Sequence, residues 1–124
     1  MSTSNNRILS FKYALEGIKE AIKEEPNFKI HLLAGFLVIV AGILLQLSRL
    51  EWATILILIG LVISVELTNT ALEAAVDSFT SENHPGAKLA KDISAGAVLV
   101  AAITSLAVGL VIFLPHIWVL NTGI

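Results

Sequence analysis

Three long apolar stretches decide what this chain can become. Residues 31–47 read HLLAGFLVIVAGILLQL, without Asp, Glu, Lys or Arg, and come close to the roughly 20 residues that cross a hydrocarbon core about 30 Å thick. After a polar joint at 48–51, Trp52 opens WATILILIGLVISV, apolar until Glu66, and helical composition continues to Asp77. The third stretch, 93–114, reads ISAGAVLVAAITSLAVGLVIFL. It is uncharged and is expected to stop at Pro115, a helix terminator beside the interfacial Trp118. The expected fold is an all-α membrane protein, one membrane domain over 1–124. It comprises an N-terminal amphipathic surface helix within 1–29 and transmembrane helices at about 31–47, 52–77 and 93–114.

Composition narrows the function. Hydrophobic residues make up 56% of the 124 and charged residues 15%, which leaves only short polar segments for chemistry. A net charge of -2 provides no basic field for nucleic acid. With no Cys, disulfides, thiol nucleophiles and zinc-thiolate clusters are excluded, and His31, His84 and His116 are too far apart for a helical metal-ligand pair.

Seven of the eight Lys and Arg lie in residues 1–29 and 78–92. The positive-inside rule therefore puts the N-terminus and the joint between the second and third crossings in the cytoplasm, with the C-terminus outside. The first 30 residues lack the short apolar core of a cleaved signal peptide. Ile8, Phe11, Leu15, Ile18 and Ile22 instead recur at steps of three and four, an amphipathic helix that lies among lipid headgroups or packs on the bundle. Glu24-Glu25-Pro26 breaks it, because the residue before proline leaves the α region and Pro26 suits the first position of the next helix.

The second crossing carries Glu66, Asn69, Glu73 and Asp77. At about 100° per residue they share one face within roughly 80°, along about 16 Å of helix. With Trp52 at the outer interface, Glu66 sits about 21 Å inward, inside the core near its cytoplasmic edge, while Glu73 reaches the interface and Asp77 passes it. A helix-packing contact accounts for one acid. Close carboxylates repel unless a cation or proton intervenes, so three acids and an amide point to a site. Carboxylates with open positions suit Mg²⁺, which takes further ligands from substrate phosphates.

His84-Pro85-Gly86 is turn chemistry, followed by Lys88, Lys91 and Asp92. Taken alone, these charges are a membrane anchor and a solvated ion pair; their place at the interface where Glu25, Glu73 and Asp77 emerge adds a cation to the carboxylates. No soluble-type nucleotide loop is present. Phosphoryl transfer nevertheless needs mainly a metal, a cation near the phosphates and a carboxylate at the attacking hydroxyl. Ala97, Ala101, Ser105 and Gly109 form a small-residue seam for close helix approach, within one chain or between chains. Three thin helices enclose little, so an oligomer is expected. The rival reading is a non-catalytic oligomer such as a cation channel, but the acidic stripe stays in the cytoplasmic half and no other crossing carries a matching one.

VELTNTALEAAVD (65–77), HPGAKLAKDISAGAVL (84–99) and EGIKEAIKEEPNFKIHLLA together resemble the small bacterial integral-membrane lipid kinases, the family of diacylglycerol kinase and undecaprenol kinase. The runs LEWATILILIGLVISVEL and GLVIFLP look more like its Gram-positive branch, whose lipid is often undecaprenol. The resemblance implies ATP-dependent phosphorylation of a lipid's primary hydroxyl in the bacterial inner membrane, by a homotrimer with sites shared between subunits. It implies Glu66 as catalytic base with Asn69 positioning the reacting groups. Glu25 and Glu73 would hold Mg²⁺, and Tyr13, Asp77, Glu82, His84, Lys91 and Asp92 would surround the nucleotide. Pro26 after Glu25 and Asn83 before His84 depart from the diacylglycerol kinase pattern.

Overall fold

The computed structural model describes residues 3–80 and 83–123. Among them it is all helical: α1 (Thr3–Glu24), α2 (Pro26–Leu44), α3 (Arg49–Phe79) and α4 (Pro85–Thr122). The last three are long and apolar enough to cross a membrane.

The break between α1 and α2 arises as the sequence requires. Glu25 is extended, at φ -104 and ψ 107, and Pro26 enters the first turn of α2, where its missing N–H costs nothing. The end of α1 rests on α2 and α3 and buries Ala21. The rest of its apolar stripe, including Ile8, Phe11 and Leu15, is exposed.

The α2–α3 turn is closed from both sides. Gln46 N–H donates to the Ile43 carbonyl at 3.3 Å and Leu47 N–H to the Gly42 carbonyl at 3.1 Å, the 5→2 and 6→1 bonds of a Schellman motif. Gln46 holds the left-handed position at φ 55. Ser48 then caps α3: its Oγ accepts from Glu51 N–H at 3.3 Å, and the Glu51 carboxylate accepts from Ser48 N–H at 2.7 Å. Gly42 admits the Trp52 ring against α2, and a Cβ there would lie 2.9 Å from it.

Helices α3 and α4 form the most extensive pairing, with α2 laid against α3. The buried apolar set is small: Ala21, Phe28, Leu47, Ile55, Val62 and Ala101. Most of the long apolar side chains of α2, α3 and α4 face outward, a surface suited to lipid or other helices and not to water. Ala101 of the small-residue seam is buried and Ala97 exposed, so part of the seam serves packing within one chain. Hydroxyls along α3 bond back into their own helix, as Ser64 Oγ does to the Gly60 carbonyl at 2.7 Å and Thr68 Oγ1 to the Ser64 carbonyl at 2.8 Å.

The helices α2 and α3 are displaced from the expected spans by a few residues, and α4 outruns its span at both ends. The third crossing begins at Pro85 and does not stop at Pro115; α4 continues to Thr122, and Gly123 ends it at φ 66. Continuing through proline forfeits one backbone hydrogen bond, whereas ending there exposes a whole turn of carbonyls to an apolar medium. His116, the next residue, anchors the extension: its Nε2 lies 3.0 Å from Glu51 Oε1 at the start of α3.

Candidate active site

Helical periodicity brings the second-crossing acids to one side of α3, and packing then separates them into two levels. Glu66 is 3% exposed, the buried charged side chain among the described residues. Its Oε2 has no hydrogen-bond partner. His31 Nε2, on the second turn of α2, stands 3.8 Å from that oxygen. Glu25 stands at the α1–α2 break and Glu73 two turns along α3 from Glu66, both half-buried. Asn69 donates from Nδ2 to Glu73 Oε1 at 3.4 Å, while its own Oδ1 is buried and unpartnered.

The second level is solvent-accessible. Asp77, His84, Lys91 and Asp92 line one polar cleft of about 450 Å³ together with Lys88 and Asn83. His84 accepts from Gly86 N–H through Nδ1 at 3.1 Å and so caps α4. Lys88 pairs with Asp92. Lys91 Nζ donates to Asp77 Oδ1 at 2.9 Å and links the end of α3 to the start of α4. Glu82 falls outside the described residues. Tyr13 is exposed on α1 and forms no part of the cleft lining.

The structure therefore buries Glu66, holds Asn69 to Glu73 half-buried farther along α3, leaves Glu25 half-buried at the α1–α2 break, and gathers Asp77, His84, Lys91 and Asp92 on the open cleft. Sequence reasoning passed over His31. Its signal was an imidazole at the head of an otherwise uncharged apolar stretch, but only packing shows which residue it faces.

The donors suit a hard divalent cation. Glu25 and Glu73 offer carboxylate oxygens, and the buried Asn69 Oδ1 is an acceptor still lacking a partner. Among the described residues no three of His, Cys, Asp and Glu close a metal cage; Mg²⁺ in general takes part of its shell from water and phosphate oxygens. A carboxylate within an apolar core can take a proton from an alcohol, and a wet cleft holding two lysines, about 16 Å along the same helix, can neutralise part of an extended anionic donor.

Comparison with known proteins places the chain in a family. The family described as Prokaryotic diacylglycerol kinase matches residues 12–113. An undecaprenol kinase of Bacillus subtilis is 47% identical over 113 residues, covering 91% of this chain and 92% of that protein. A diacylglycerol kinase of Synechocystis is 43% identical over 111 residues, 89% of this chain and 63% of its own length. The diacylglycerol kinase of Escherichia coli K12 is 30% identical over 104 residues, 84% of this chain and 85% of that one.

Proposed function

Because the chain belongs to the prokaryotic diacylglycerol kinase family and is thereby a membrane lipid kinase, we propose that it phosphorylates undecaprenol with ATP at the cytoplasmic face of a bacterial membrane. The observation that carries the reading is the two-level arrangement on α3: a buried Glu66 carboxylate whose Oε2 accepts no hydrogen bond, and farther along the helix an open cleft lined by Lys91 and Lys88. A lipid alcohol brings its hydroxyl from the apolar side and ATP its phosphates from water, and these levels suit each approach.

In this reading Glu66 accepts the proton of the lipid hydroxyl as its oxygen bonds to the γ-phosphorus. The bond from that phosphorus to the bridging oxygen of ADP breaks, giving the lipid monophosphate and ADP. Asn69, held by its hydrogen bond to Glu73, orients the reacting groups. Lys91 offsets phosphate charge at the cleft, with Asp77, His84, Asp92, Glu82 and Tyr13 around the rest of the nucleotide. Mg²⁺, held by Glu25 and Glu73, would supply neutralisation of the phosphate oxygens. Assembly as a homotrimer with sites shared between subunits is what the family resemblance implies, and the bare stripe of α1 and the outward apolar faces of the crossings leave surface for such contacts or for lipid. The charge distribution supports a cytoplasmic N-terminus and an outer C-terminus.

Undecaprenol is favoured by the Bacillus relative, whose length this chain nearly spans. Diacylglycerol is the second reading, carried by the 43% identity to the Synechocystis protein. Purified protein given labelled ATP and Mg²⁺ with each lipid in parallel separates them. Faster formation of undecaprenyl phosphate is expected. A preference for diacylglycerol overturns the substrate assignment, and label in neither lipid overturns the kinase reading.

A further inference from the structure

We propose that His31 is a positioning residue for Glu66: with its proton on Nε2 it holds Oε2, so that the other carboxylate oxygen faces the incoming lipid hydroxyl. This rests on the lipid-kinase reading with Glu66 as base. Three observations support it. Glu66 Oε2 is buried without a hydrogen bond, a costly state for a group that has a donor within reach. His31 Nε2 is 3.8 Å from it, less than 1 Å beyond hydrogen-bond length, a gap that a small side-chain rotation closes. Among the described residues nothing else competes for that ring, since His31 makes no other ion pair or hydrogen bond.

A further observation is where His31 stands. An apolar groove of about 330 Å³ runs between α2, α3 and α4, from Ile63 and Ala102 at one end to Ile55 and Phe113 at the other, and His31 is its one ionisable lining residue. Ile63 lies one turn of α3 before Glu66. An alcohol whose apolar chain lies along this groove with its hydroxyl toward Glu66 passes the imidazole. Without a donor on Oε2, either carboxylate oxygen is free to swing away from the hydroxyl, and proton transfer loses its alignment.

The test compares the wild type with Glu66→Gln, His31→Phe and His31→Gln under saturating Mg²⁺. Readouts are kcat, KM for lipid, KM for ATP and the unfolding midpoint in mixed micelles. His31→Phe keeps a ring without the donor and is expected to lower kcat about 10- to 100-fold, the value of one hydrogen bond to a charged group, with both KM values within about twofold. His31→Gln restores an N–H donor and is expected within about fivefold of wild type. If His31→Phe fails to fold, His31→Met carries the same expectation. Unchanged kcat in the donor-less variant, a loss confined to the lipid KM, or a glutamine variant as impaired as phenylalanine each overturns the assignment. An active wild type and a dead Glu66→Gln beside a fully active His31→Phe refute only the role of His31. A wild type inert toward both lipids refutes the parent reading itself.

Discussion

Replacing Glu66 with methionine should make the protein more stable and nearly inactive. The carboxylate is 3% exposed, its Oε2 has no partner, and the imidazole 3.8 Å away compensates only part of its lost hydration. A buried polar group left unsatisfied costs about 1–3 kcal/mol, and insertion into a bilayer adds a depth-dependent penalty for an acid. Methionine has similar length, fills irregular space and brings no polar atom, so little cavity or overpacking offsets the gain. Glu66→Met is therefore expected to raise unfolding free energy by about 1–3 kcal/mol, while loss of the base lowers kcat about 10²- to 10⁴-fold. Unfolding by increasing detergent fraction reports the first quantity through Trp52 fluorescence, because that ring packs on Gly42 at the α2–α3 turn. Protein concentration must be fixed, since any assembly stabilises by mass action. Transfer of label from ATP to lipid reports the second. A methionine variant less stable than wild type would show that Glu66 is kept for packing, and the reasoning would fail.

Two further perturbations probe other parts of the molecule. Gly42→Ala places a methyl 2.9 Å from Trp52 and 3.0 Å from Leu47, so the same unfolding assay should show a loss of about 1–3 kcal/mol from overpacking; an unchanged midpoint would mean the turn yields freely. Glu73→Ala and Glu25→Ala should each move the Mg²⁺ titration of activity to at least about tenfold higher concentration, and superimposable titrations would remove both residues from metal binding.

Local rules made much of this molecule legible. Residue spacing alone aligned Glu66, Asn69, Glu73 and Asp77, because a helix fixes direction every 100° whatever surrounds it. The Glu25–Pro26 break was readable because proline's steric demand on its predecessor is equally local. Pro115 misled for the complementary reason: in water it ends helices, but an apolar medium penalises open carbonyls more than one missing bond, and the Glu51 link that anchors the extension comes from 65 residues earlier. Gln46 carries no glycine-like signal, yet it adopts the left-handed position because Ile43 and Gly42 need donors for their carbonyls. His31 facing Glu66 is a meeting of two helices, and spacing within either one does not contain it.

The two polar links between α3 and α4 have a mechanical consequence. Lys91–Asp77 and His116–Glu51 fasten the pair near opposite ends, about 38 Å apart along α4 by helical rise, like rungs that stop two rails from sliding or rolling past each other. No such rung reaches α2 from α4 among the described residues; of that pair α2 is held to α3 alone, by the short turn and by packing along its length, Gly35 lying against Ile59. The α3–α4 pair is thus braced at both ends, while α2 is tied to α3 by the turn at one extremity and by the approach of His31 to Glu66 near the other.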